Sequence, residues 1–192
     1  YLLSALCLAA STLLAVDSTP ANKAPDYQVM KEEVEALGKL THPPEVHAAV
    51  GFDSTANLRA IFFEGPDFQG KPTKVFAWLG LPEKREGKIP AVVLVHGGGG
   101  NASKEWVKTW ANHGYAAISM SLEGHIDRYD EKSKTRVRNP EGGPERPGIF
   151  GDSASPIKDQ WMYQCVAIAG RSAAMLRSLP EIDTNKIGIV GC

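Results

Sequence analysis

Residues Ile89 to Val95 read IPAVVLV, seven residues without a charge, and HGGGG follows at once. A continuous apolar run of this length, rich in β-branched residues, suits a strand covered on both faces, which a parallel sheet flanked by helices provides. The chain then repeats the unit. Ser103 to Asn112 has a helical apolar face at Trp106, Val107, Trp110 and Ala111, with Ser103 as its N-cap and Gly114 as its stop. Tyr115 to Leu122 (YAAISMSL) is a second buried strand, Asp159 to Leu179 a long helix, and Lys186 to Val190 a third strand. Alternating strands and helices imply a parallel sheet with right-handed crossovers.

Antiparallel structure leads this unit. Leu58 to Phe63 and Thr73 to Leu81 are strand-like and are separated by the turn-rich GPDFQGKP, which predicts a hairpin. Further upstream, Asp26 to Leu40 shows helical spacing at Val29, Met30, Val34, Leu37 and Leu40, with Asp26 as N-cap and His42-Pro43-Pro44 as terminator. On the long helix, Trp161, Met162, Cys165, Val166, Ile168, Ala169, Ala173 and Leu176 are expected on the buried side, with Asp159 as N-cap or first-turn acid. Between the second parallel strand and that helix, residues 123–158 show no periodicity and are rich in Pro, Gly and charge, as functional loops often are.

Residues 2–16 are one uncharged apolar run followed by the polar DSTPANKAP. The run is shorter than the roughly 20 residues of a comfortable membrane span. It reads as the apolar part of a secretory signal, which divides the chain into a partial signal at 1–18, a linker and helix at 19–44, and an incomplete α/β domain at 45–192. Secretion or export to the periplasm, without a stable membrane anchor, is the expectation. The net charge of −1 gives no basic surface for nucleic acid. Cys7, Cys165 and Cys192 have no ligand or disulfide spacing, so neither a metal nor a cofactor is implied.

Two stretches carry chemistry. His96 and Gly97 to Gly100 lie at the carboxyl end of a buried strand, the edge at which open α/β sheets bind ligands. Bare glycines let backbone N–H groups approach a bound group closely. One reading is an oxyanion hole. The other is a dinucleotide loop, since Gly97-x-Gly99-x-x-Ala102 meets a loose fingerprint and Glu123 ends the next strand. The dinucleotide reading is weakened by the hairpin that precedes the unit, by a helix that starts only after the glycines, and by His96, which has no purpose at a pyrophosphate. The second stretch is KIGIVGC, Lys186 to Cys192. Gly191 fits the first glycine of a G-x-S-x-G nucleophile elbow, which makes Cys192 the x residue and puts the nucleophile immediately after it. Cys192 as nucleophile is the competing reading, and it would leave the β-branched Val190 where the turn needs glycine.

The segment IPAVVLVHGGGGNASKEWVKTWANHGYAAISM, then EGGPERPG, then KDQWMYQCVAIAGRSAAMLRSLPEIDTNKIGIVG, resembles the secreted acetylxylan-esterase and dienelactone-hydrolase-like branch of the α/β-hydrolases. Prolyl-oligopeptidase-type domains are more distant relatives. The resemblance runs from about Phe62 to Cys192. It implies a serine ester hydrolase acting on a small-molecule or polysaccharide ester, in which acid and histidine follow the nucleophile, so that these 192 residues alone would have no turnover. It makes Gly98, then Gly99, the oxyanion donors, with His96 and Gly97 as support and His96 an orienter rather than the general base. It leaves Trp161 between the core and the substrate cleft. Relatives carry an aspartate at the end of the fourth strand, where this chain has Ser121 and then Glu123. A serine peptidase of prolyl-oligopeptidase type and a nucleotide-binding α/β protein are the alternative functions.

Overall fold

The computed structural model describes residues 26–148 and 150–191. The readings placed on residues 1–25 and on Cys192 lie outside them. Helix α1, Tyr27–Ala36, is capped by the Asp26 carboxylate, which accepts from Gln28 N at 2.9 Å, and it runs into a 3-10 turn at Leu37–Lys39. Six strands form one sheet: β1 Val46–Ala48, β2 Leu58–Glu64, β3 Lys74–Gly80, β4 Ile89–Val95, β5 Ala116–Met120, and, after the elements described below, β8 Ile182–Gly191. Their order is β1-β2-β3-β5-β4-β8. The predicted hairpin is β2–β3, in register Leu58 with Gly80 through Glu64 with Lys74. β3 runs antiparallel to β5, while β4, β5 and β8 are mutually parallel.

Period-two alternation assigns side chains to two cores. Val75, Ala77, Leu79, Ala91, Val93, Ile118 and Met120 point to one face, which α3, Trp161–Ser178, covers with Cys165, Ile168, Met175 and Leu176. Phe76, Trp78, Val92, Leu94 and Ala117 point to the other, which α2, Lys104–Asn112, covers with Val107. Helix α2 comes so near the sheet that a Cβ on Gly80 would lie 2.4 Å from Val107 Cγ1. The chain steps from β4 to β5 on one side and returns to β8 on the other. The carboxyl end of β4, where the glycines stand, is therefore the point at which the winding reverses.

Four expectations need correction. The stretch 123–158 is not structureless: β6, His125–Asp130, and β7, Thr135–Arg138, form an antiparallel ribbon, and a 3-10 turn spans Ile157–Asp159. Asp159 does not cap α3; its carboxylate accepts from Gln69 N at 2.7 Å, and Asp152 accepts from Trp161 N at 2.6 Å instead. Met162 and Val166 are exposed, because the helix turns Gln164, Ala167 and Ser172 inward in their place. The last strand is longer than KIGIV and is not buried along its length. It starts at Ile182, forms one edge of the sheet, and leaves Ile189 63% exposed.

Candidate functional site

The site is built on a turn. Gly100 N–H donates to the Gly97 carbonyl at 2.9 Å, with Gly98 and Gly99 between them. Only Gly99 has a left-handed φ, +79°, the pattern of a type II turn, which requires that conformation at its third residue. Gly100 is small for a different reason: a Cβ there would fall 2.4 Å from His96 Nδ1. The imidazole thus packs directly against the turn.

His96 ties two strand ends together. Leu122 N–H donates to Nε2 at 3.0 Å, so Nε2 is the acceptor nitrogen and the proton sits on Nδ1. Nδ1–H then donates to the Gly97 carbonyl at 2.7 Å. Burial pushes the His96 pKa below its ordinary 6.5, with smaller opposing effects from the Gly97 carbonyl and Glu123. The neutral tautomer is the one that both bonds need. Both ring nitrogens are thus occupied by backbone groups.

That arrangement aims an amide. The Gly97 carbonyl and the Gly98 N–H belong to one planar peptide and point in opposite directions. Two hydrogen bonds hold the carbonyl toward His96 and Gly100, so the Gly98 N–H faces away from the turn, and among the described residues nothing accepts from it. Gly99 differs. Its N–H donates to Glu123 Oε1 at 2.6 Å, and Glu123 is buried.

The ribbon braces the turn from behind. Arg136 donates to the carbonyls of Gly99 and Gly100, the latter at 2.6 Å. Arg138, two residues along the same strand, donates to the carbonyls of Glu123, at 2.7 Å, and Gly143. Asp127, on β6, accepts from the indole of Trp78 at 2.7 Å and ties the ribbon to the sheet. Sequence reasoning missed this brace. The signal for it was the Thr135-Arg136-Val137-Arg138 alternation, which puts both arginines on one side of a strand.

Trp161 opens α3 half-buried, packs on the α3-side core, and donates through Nε1 to the Leu122 carbonyl at 2.9 Å. Arg146 lies over its ring, with Cζ 5.6 Å from the centroid. Gly191 pairs with Val95 across β8 and β4, so the end of the last strand comes up beside the residue preceding His96. His96, Gly97, Gly98, Gly191 and Trp161 thus gather at one carboxyl edge.

The arrangement is unsuited to a pyrophosphate. Glu123 occupies the Gly99 amide that a phosphate oxygen would need and puts a carboxylate where the ligand is anionic. Helix α2 begins at Lys104, beyond the turn, with its first amides served by Ser103, which accepts from Trp106 N at 3.1 Å. Among the described residues no group of three or more metal-ligating side chains converges, and no helix is long and apolar enough to cross a membrane.

A search of curated proteins finds no match. Acetyl Xylan Esterase 1 from Thermoanaerobacterium sp. JW/SL YS485 superposes with a TM-score of 0.60 at 15% identity, over 84% of this chain and 50% of that one. The acetyl xylan esterase from Paenibacillus sp. R4 gives 0.56 at 19% identity, over 87% and 51%. The chain therefore spans about half the length of these structures, and it shares with them the α/β-hydrolase architecture. The family model for acetyl xylan esterase (AXE1) matches residues 26–192, and the chain belongs to that family.

Proposed function

We propose that this chain forms the oxyanion side of a secreted serine carboxylic-ester hydrolase that removes acetyl groups from a small-molecule or polysaccharide ester. The observation that carries the proposal is the pinned Gly97 carbonyl, which turns the Gly98 N–H outward at the carboxyl edge between β4 and β8. Such an amide, fixed before the reaction begins, stabilises negative charge on a tetrahedral intermediate without reorganisation, an effect of roughly 3 to 4 kcal/mol per donor.

In this reading the nucleophile follows Cys192 at the elbow that Gly191 opens. It attacks the ester carbonyl, the carbonyl oxygen takes up the negative charge, and the alcohol leaves with a proton delivered by the triad histidine. Water, deprotonated by the same histidine, then releases the acid. Gly98 N–H meets the oxyanion in both steps. The partner amide is that of the residue after the nucleophile. Gly99 serves by holding the turn against Glu123 rather than by donating to the substrate. The family membership supports ester over peptide hydrolysis. The apolar run at residues 2–16 supports export.

Hydrolysis of 4-nitrophenyl acetate and of acetylated xylan by the full-length protein, before and after a serine-directed phosphonate, tests the reading. The expected result is acetate release, its loss on labelling, and a phosphonyl group on a residue C-terminal to Cys192. Residues 1–192 alone are expected to release none. Acetate release that the phosphonate leaves untouched would overturn the proposed mechanism.

A further inference from the structure

Three arginines surround the glycine turn, and two of them are committed to backbone. Arg136 holds the carbonyls of Gly99 and Gly100, and Arg138 holds those of Glu123 and Gly143. Arg146 is different. A Cβ built on Gly98 would lie 2.4 to 2.6 Å from its guanidinium atoms, so the group rests on the bare Cα of the residue whose amide faces outward. The same guanidinium stacks over Trp161. Arg146 is exposed, and no described residue accepts a hydrogen bond from it. Its neighbour Glu145 turns away to His125 and Arg138, at 3.6 and 3.8 Å.

A guanidinium held on backbone and indole keeps its planar fork of N–H donors in place at little entropic cost, and that fork matches a carboxylate. Its position says which part of a substrate it meets. The Cβ direction of Gly98 diverges from its N–H direction, so Arg146 stands beside the oxyanion position rather than in it. The group it recognises is a near neighbour of the scissile ester. The charge balance narrows the chemistry further. Arg136 and Arg138 are occupied and Glu123 is close behind the turn, so among the described residues Arg146 is the uncommitted cation beside the turn. One negative charge suits it better than the −1.5 to −2 of a phosphate monoester, as roughly judged from ordinary phosphate ionisation.

We propose that Arg146 is a specificity residue that binds a carboxylate on the ester-bearing molecule, so that the favoured substrate is an acetyl ester carried next to a carboxylate, as on an O-acetylated uronic acid residue. The proposal rests on the hydrolase reading given above.

The test compares two acetyl esters of one shape, 4-acetoxybenzoate and its neutral counterpart 4-acetoxybenzamide, with the full-length wild-type protein, Arg146→Lys and Arg146→Gln. The readout is the change between variants in the ratio of kcat/KM for the acid to that for the amide; leaving-group differences and any general damage cancel in that comparison. Arg146→Gln is expected to lower the ratio about tenfold, the worth of one charge-assisted pair, through KM for the acid. Arg146→Lys, which keeps the charge and loses the fork, should fall between. A ratio that Arg146→Gln leaves unchanged, with both esters turned over, overturns the carboxylate proposal and leaves the hydrolase reading standing. Failure to hydrolyse either ester overturns both.

Discussion

Replacing His96 separates the strength of the turn from its aim. The ring makes two bonds, one to the Gly97 carbonyl at 2.7 Å and one from the buried Leu122 N–H at 3.0 Å. His96→Ala removes both. The lost Gly97 bond is worth about 0.5 to 1.5 kcal/mol net, and a buried N–H left without an acceptor costs about 1 to 3 kcal/mol. The expected loss of stability is about 2 to 4 kcal/mol by urea unfolding. His96→Gln gives back an acceptor near the Nε2 position and so recovers most of the Leu122 part. It has no donor at the Nδ1 position, so the Gly97 carbonyl keeps only the bond from Gly100 N–H and the Gly98 N–H is aimed less firmly. The Gln variant should thus be closer to wild type in stability than the Ala variant, yet as impaired in kcat. Acidity adds a second signature. The folded-state pKa of His96 lies below its ordinary 6.5, so its contribution to stability is present above about pH 6.5 and disappears as pH falls through the folded value. His125, also pushed down chiefly by burial, adds to the same slope. His96→Gln should flatten the acid side of the stability profile without abolishing it. A His96→Ala protein within about 0.5 kcal/mol of wild type would refute the reasoning, since no buried N–H could then have lost its partner.

Other consequences are as direct. Burial pushes the Cys165 thiol up to about 12, so it should stay unalkylated by iodoacetamide at pH 8 in the native protein and react on unfolding, as followed by peptide mass spectrometry. Leu176→Ala, at a fully buried position of α3, should cost about 2 to 5 kcal/mol of unfolding free energy. Gly100→Ala places a methyl group on the His96 ring and should cost kcat as well as stability, whereas Gly70→Ala, with open space around it and a φ of +71°, should cost stability alone.

The parts of this fold that were legible in the sequence are those whose cause is local. IPAVVLV announces a two-sided strand because every residue of it is apolar. Ser103 announces a helix start because its hydroxyl reaches the Trp106 amide three residues on. What stayed hidden depends on distant partners. The β6–β7 ribbon carries little apolar periodicity, since it is held largely by Arg136 and Arg138 on backbone carbonyls and by Asp127 on Trp78, with Ile126 packed against the sheet. Strand β1, only three residues long, exists because β2 offers it an edge. Met162 and Val166 are as apolar as their neighbours, and only the packing of α3 against the sheet decides which side turns inward. Glu123 stood out in the sequence only as the residue ending the strand after a loose dinucleotide fingerprint; the fold brings it 24 residues back to the Gly99 amide.

The central claim is that one backbone N–H, that of Gly98, holds the oxyanion. Gly98→Pro deletes that hydrogen and keeps the turn, because proline suits the second position of a type II turn, while its ring displaces the Arg146 guanidinium. Gly98→Ala keeps the hydrogen and disturbs Arg146 in the same direction, so it is the proper reference. In the full-length protein the account predicts a kcat for 4-nitrophenyl acetate about a hundredfold or more lower in Gly98→Pro than in Gly98→Ala, with both variants folded. Equal kcat values in the two would contradict it.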